Sequence, residues 1–185
     1  KNGVEFKDLK VATVSENKTW FNFSGNGQLY GEPDYTVQFD GMLTSQIIQE
    51  PLKINVELQP KDTYDVKGFL KIKSKKPDLE LCSNLLINLE KSSFSIHLLP
   101  GSVYEKNPIN GEMKGTYADH QLNMEYITQP LDVNFSGLTG KGSLKGNIHY
   151  SSEKFLIEGR FVGDWLQFQN YKFKQPHVQF QYNQK

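Results

Sequence analysis

The chain has 185 residues, with 21 Lys and Arg against 21 Asp and Glu, so its formal net charge is zero. That balance argues against a nucleic-acid binder, which carries surplus basic charge to neutralise phosphates. Only 37% of the residues are hydrophobic, yet there are 12 Phe, 9 Tyr and 2 Trp, so a fold requires these apolar residues to be sorted onto one face.

The sorting follows a period of two. In 22-NFSGNGQLYG-31, Phe23, Gly25, Gly27, Leu29 and Gly31 share one side, and Asn22, Ser24, Gln28 and Tyr30 share the other. The 43-LTSQIIQEP-51 stretch leaves room for a short helical turn. Ile54, Val56 and Leu58 then alternate with polar residues, as do Val66, Gly68, Leu70 and Ile72. In 78-DLELCSNLLINLE-90, Leu79, Cys82, Leu86 and Leu89 fit a helical stripe, whereas Leu85, Ile87 and Leu89 fit a strand. Ser83-Asn84 reads as a turn between strands, and strands are the favoured reading.

Alternation continues through Phe94, Ile96 and Leu98, then Met113, Gly115 and Tyr117, then Leu122, Met124 and Tyr126. Leu131, Val133 and Phe135 precede Leu144, Gly146, Ile148 and Tyr150. Phe155, Ile157, Gly159 and Phe161 follow, and Val178, Phe180 and Tyr182 end the series. Strict period two predicts strands with one wet and one dry face. Short turns at Ala118-Asp119-His120, Gln129-Pro130 and Ser151-Ser152-Glu153 predict that neighbours pair. The predicted fold is all-β, an extended antiparallel meander of about fifteen amphipathic strands. It forms either a curved, taco-like sheet or an elongated sandwich with an apolar interior. Residues 1–185 read as a single β-rich domain belonging to a longer protein.

Glycine punctuates this pattern. Gly-x-[Leu/Met]-x-Gly occurs at 27–31, 111–115 and 142–146, and Asn-Phe-Ser-Gly occurs at 22–25 and 134–137. Parity puts Gln28, Tyr30, Glu112, Lys114, Ser143 and Lys145 outside and the glycines inside. A recurrent strand glycine marks a bend or a close approach. Two readings stay open, ordinary curvature in a packed sandwich and unfilled space along a functional cavity. The irregular spacing of the copies excludes a strict short-repeat solenoid.

Catalytic chemistry has no foothold. Cys82 is the only cysteine, which rules out an intramolecular disulfide and a cysteine-based zinc site and suggests a buried, inert thiol. His97, His120, His149 and His177 make no metal-ligand spacing. No nucleophile elbow, P-loop or dinucleotide fingerprint is present, and the carboxylates are scattered over polar faces. The basic run Lys71, Lys73, Lys75 and Lys76 suits a solvated strand end or contact with anionic headgroups. Asn17, Asn22 and Asn134 begin three-residue glycosylation matches, which are common by chance. The expectation is a protein that is not an enzyme and takes no cofactor.

The segments 22-NFSGNGQLYG-31, 131-LDVNFSGLTGKGSLKGNIHY-150 and 154-KFLIEGRFVGDWLQFQNYKF-173 resemble TamB and its AsmA-like relatives. The resemblance covers most of the chain in style and rests on short, degenerate motifs. It implies a periplasmic segment of a protein anchored in the inner membrane, folded as a long curved sheet with an apolar groove. It further implies a phospholipid or other acyl-chain ligand, a role in outer-membrane biogenesis and an outer-membrane barrel partner. No binding residue transfers, because such proteins have a groove in place of a motif.

Parity alone supplies the candidate groove lining: Phe21, Phe23, Val37, Phe39, Ile54, Val56, Leu70, Ile72, Met113, Tyr117, Met124, Val133, Phe135, Ile148, Phe155, Ile157 and Phe161. About fifteen strands at about 4.8 Å spacing run about 70 Å in one sheet, or about half that in two. Either length exceeds the about 15 Å of one leaflet's hydrocarbon. The same residues equally suit a closed sandwich core. The alternative function is a β-solenoid or β-sandwich module for adhesion or carbohydrate binding, with Trp20, Tyr30 and Trp165 as outward aromatics. A lipocalin-like barrel would need only about eight strands.

Overall fold

A computed structural model describes residues 3–15, 18–31, 35–45, 50–76, 78–135, 137–151 and 154–184, excluding the side chains of 11–15, 18–21, 45, 134–135 and 184. The first strands are β1 (Gly3–Ser15), β2 (Lys18–Tyr30), β3 (Thr36–Ser45), β4 (Leu52–Pro60), β5 (Asp65–Ser74), β6 (Leu79–Asn88) and β7 (Ser93–Leu98). Two short strands follow, β8 (Val103–Tyr104) and β9 (Asn107–Pro108). Then come β10 (Gly111–Ala118), β11 (Gln121–Thr128), β12 (Leu131–Phe135) and β13 (Leu138–Tyr150). The last are β14 (Phe155–Phe168), β15 (Tyr171–Lys174) and β16 (His177–Gln184). No helix occurs among the described residues, and all sixteen strands belong to one antiparallel sheet.

The sheet has fewer rows than strands. Its main path runs β1-β2-β3-β4-β5-β6-β7-β10-β11-β13-β14-β15, and the other four strands lie alongside this path. β6 pairs with β7 over Ser83–Asn88 and with β8 over Leu79–Glu80. β13 likewise pairs with β11 over Lys145–Tyr150 and with β12 over Leu138–Gly142. β15 and β16 share the outer edge of β14. Twelve rows at about 4.8 Å give a sheet about 53 Å across, shorter than the about 70 Å expected when every strand makes its own row. Gln129-Pro130 is therefore no hairpin, because β11 and β12 run end to end along β13.

Turn chemistry fixes several hairpins. Asp119 and His120 both have positive φ (50° and 59°), and Ala118 faces Gln121 across them. Glu105 and Lys106 repeat the device at φ 47° and 68°, between Tyr104 and Asn107. Two consecutive left-handed residues match the right-handed twist of the strands they join. Between β4 and β5, the Asp62 carboxylate accepts hydrogen bonds from the Tyr64 and Asp65 amides at 3.0 and 2.8 Å.

The 78–90 segment resolves as a strand without the expected turn at Ser83-Asn84. β6 runs unbroken, and Ser83 is 1% exposed at its centre, its hydroxyl donating to the Leu70 carbonyl at 3.1 Å. A small hydroxyl that finds a neighbouring carbonyl can stay in a strand. Cys82 is half-buried and lies opposite Lys71 on the polar face, so it is not the apolar-packed thiol expected. The helical turn considered within 43–51 falls on 46–49, and Ser152 and Glu153 of another expected turn are also outside the described residues.

The sheet remains open. The accessible surface is 12683 Å², against about 9100 Å² for a compact monomer of this mass. Among described hydrophobic residues only Leu98 and Phe161 are buried, each 6% exposed. A sandwich would bury most of one face beneath a second layer, so the sandwich alternative and its closed core are not adopted.

Candidate functional site: one uncovered apolar face

Directly opposed residues of an antiparallel sheet point the same way, so the ladder carries a face from strand to strand. One line runs Pro60, Val66, Ile87, Phe94, Gly115, Met124, Ile148, Ile157 and Tyr182. A second runs Gly25, Gly41, Ile54, Ile72 and Leu81. The two lines join because Ile72 and Val66 have the same parity within β5. Fifteen of the seventeen candidate residues fall on this single face: Phe23, Val37, Phe39, Ile54, Val56, Leu70, Ile72, Met113, Tyr117, Met124, Val133, Ile148, Phe155, Ile157 and Phe161. The side chains of Phe21 and Phe135 lie outside the described residues.

These residues form a wall. They extend from β2 to β14, ten rows or about 43 Å. Most are half-buried, and Tyr117 is 53% exposed. Sequence parity also applied to residues left out of the lining, including Leu85, Ile87, Phe94, Ile96, Val178, Phe180 and Tyr182, all on the same face. From β2 to β16 no described Asp, Glu, Lys or Arg that has a register partner occupies this face; Asp164, at the bulge of β14, has none. An apolar occupant would therefore strip water from no charged group.

The inward glycines are roofed by rings. A Cβ on Gly41 would stand 2.6 Å from the Phe23 ring, and one on Gly115 would stand 2.7 Å from the Phe94 ring. Phe39 covers Gly27 in the same way, and Phe180 covers Gly159. An aromatic side chain can thus lie flat across the neighbouring strand, closing the space that the missing side chain leaves. Of the two sequence readings, unfilled space along a cavity gives way, because rings and backbone stand against these glycines. Tyr126 lies over the directly opposed pair Gly146 and Gly159, its hydroxyl donating to the Glu158 carbonyl at 3.4 Å. Burial raises the pKa of this phenol.

The opposite face holds the charge. Glu80 accepts from Lys71 at 2.8 Å and Lys73 at 3.0 Å, so part of the basic run is neutralised within the sheet. The Lys71 hydrogen bond is the main cause of the lowered Glu80 pKa, and it raises that of Lys71. Glu112 pairs with Lys114 at 2.9 Å, and Glu125 with Lys145 at 2.8 Å. Shallow depressions on this side, of about 720 and 570 Å³, are lined by residues such as Asn123, Glu125, Asn147 and Glu158. They are open and of mixed lining, the larger one also touching Leu86, Phe94, Met124 and Ile148, with no metal-ligand cluster among the described residues. Met42, Phe69, Leu86, Val103, Ile127, Leu156 and Val162 also belong to this face, apolar exceptions that alternation did not single out.

The alternative aromatic set does not come together. Tyr30 ends β2 and Trp165 lies in β14, with the Lys172 ammonium 5.0 Å from the Trp165 ring centre. Nine row spacings separate them, about 43 Å, and the Trp20 side chain is outside the described residues. No family model, curated protein or solved structure matches the chain.

Proposed function

We propose that this chain is a non-enzymatic lipid-handling segment that holds acyl chains along its apolar face. The observation that carries this reading is the continuity of that face: fifteen expected side chains on one side of an open sheet, without a charged residue among them. Contiguous exposed apolar surface beyond a few hundred Å² marks an interaction site in a water-soluble protein. A wall about 43 Å long exceeds the about 15 Å of one leaflet's hydrocarbon, and a sheet lets a tail contact apolar residues without crossing a polar rim. The resemblance to TamB and AsmA-like proteins supports the same reading. It places the segment in the periplasm, in a protein anchored to the inner membrane that supplies phospholipid for outer-membrane biogenesis beside a barrel partner.

The test is lipid capture. Native mass spectrometry of the chain purified from bacteria should detect bound phospholipid or fatty acid, and a fluorescent fatty acid should bind and be displaced by unlabelled oleate. The variant Ile148→Lys places a charge on the face and should weaken fatty-acid binding at least about tenfold, because an ammonium is costly against a lipid tail. Lys114→Gln on the other face should leave binding unchanged. A protein that emerges lipid-free and rejects the fluorescent probe would sink the proposal.

A further inference from the structure

The two long sides of the sheet, where successive strands turn back, differ in character. Antiparallel pairing brings the turns of β2–β3, β4–β5, β6–β7, β10–β11 and β13–β14 to one of them. Each carries a large side chain in or beside its turn: the exposed Tyr35, Tyr64, Leu89 and Tyr117, and the half-buried Tyr150. The Leu89 amide donates to the Tyr64 carbonyl at 2.8 Å, and the Tyr117 amide to the Ser92 carbonyl at 2.9 Å, so neighbouring turns are tied together. At two rows per hairpin the five turns run about 38 Å. Register places Tyr117 and Tyr150 on the apolar face, in one line with Leu122 and Phe155. Among the described residues of these turns, Lys61, Lys91 and Lys154 offset Asp62, Glu90 and Asp119. On the opposite long side Lys75 and Lys76 occupy one turn, and Glu105 and Lys106 another. Exposed rings gather there at one hairpin among the described residues, with Phe168 and Tyr171.

In the middle of the face, hydroxyls are taken up by the sheet itself. Ser83 donates to the Leu70 carbonyl at 3.1 Å and Tyr126 to the Glu158 carbonyl at 3.4 Å, while the Thr128 hydroxyl accepts from the Leu144 amide at 2.9 Å. Resting on the acyl-chain reading above, we infer that the tyrosine-lined side seats the zwitterionic heads of bound phospholipids, their tails running along the strands toward the opposite side. Tyrosine is apolar along its ring and polar at its tip, which suits the boundary where a tail gives way to ester and phosphate. Its phenolic hydroxyl donates to those oxygens. A lipid laid across the rows would instead hold its head over the apolar middle, without polar partners. The strands are long enough for the tails. The thirteen residues of β13 span about 40 Å, against about 15 Å for one leaflet's hydrocarbon. Balanced charge in the turns favours a head of zero net charge over an anionic one.

Photo-crosslinking of the 185-residue chain reads the orientation, using two phosphatidylethanolamines, one with a diazirine on its head and one with a diazirine at its tail end. The head probe should label peptides around Tyr64, Tyr117 and Tyr150, and the tail probe peptides around Leu81 and Leu144, which lie deeper along the same strands. The variant Y35F/Y64F/Y117F keeps every ring and removes three hydroxyls. It should weaken phosphatidylethanolamine binding at least about fivefold, yet bind diphenylhexatriene, a hydrocarbon without a head, as the parent does. Phosphatidylglycerol should bind the parent no tighter than phosphatidylethanolamine. Head labelling in the middle of the face or around residues 75–78 and 168–171 would overturn the inference. So would a variant that holds phosphatidylethanolamine like the parent, or tighter binding of phosphatidylglycerol. In each of those cases capture of diphenylhexatriene still upholds the acyl-chain reading. A variant that loses both ligands leaves the decision to the labelling of the parent. A parent that takes up neither lipid nor diphenylhexatriene overturns the acyl-chain reading, and this inference with it.

Discussion

The chain uses Asn-Phe-Ser-Gly twice, and the two copies do different work. In the first, Gly25 lies mid-strand in β2, directly opposite Gly41 of β3, with the Asp40 carbonyl against the position of any Cβ. In the second, Gly137 sits in the turn between β12 and β13 at φ 82°, with open space where a Cβ would go. One glycine is required by its neighbour and the other by its own backbone. Four identical residues do not define a structural role. The register into which they fold does.

The largest effect expected from breaking this comparison is at Gly25. Gly25→Ala must displace the backbone of β3, because both Asp40 and Gly41 stand too close for a side chain. A loss of about 3 kcal/mol is expected, as for other overpacked sites. Gly146→Ala should behave alike, since it opposes Gly159 and meets the Glu158 carbonyl. Gly137→Ala meets no atom but must hold a left-handed backbone, which costs about 1 kcal/mol. Gly137→Asn should be nearly neutral, because Asn tolerates that conformation. Urea unfolding of the four variants ranks them. Equal losses at Gly25 and Gly137 would mean that the copies are equivalent after all.

Much of the fold was legible because alternation is a local signal. Each strand's parity can be read within a few residues, and the ladder then sums those parities into a face. The number of rows was not legible, because only long-range pairing shows that β11 and β12 share β13. Ser83-Asn84 misled for a related reason: two turn-forming residues stay extended when Ser83 finds the Leu70 carbonyl on the next strand. The candidate lining was legible as a set of residues on one side. Whether that side was covered was not, since a sandwich core and an open wall have the same period. Cys82 shows the limit of local composition: leucines surround it in sequence, while its register partner is Lys71.

The smallest effect compares the polar side of the two halves. Glu80 in β6 is held by two lysines, and Glu125 in β11 by Lys145 with Lys114 farther off. Hydrogen bonds from these lysines lower both carboxyl pKa values from the ordinary 4.5. A depressed folded pKa contributes stability above the unfolded value, and that contribution is lost as pH falls through the folded value. Stability of the parent should therefore decline below about pH 4.5 partly through these two groups. Glu80→Gln should flatten that decline more than Glu125→Gln, because Glu80 loses two charged donors. All these groups are solvated, so about 0.5 M salt should shrink both differences. Urea unfolding of each variant from pH 6 to 3 reads the slopes. Steeper dependence on Glu125 than on Glu80 would show that the doubly bonded carboxylate is not the stronger pair.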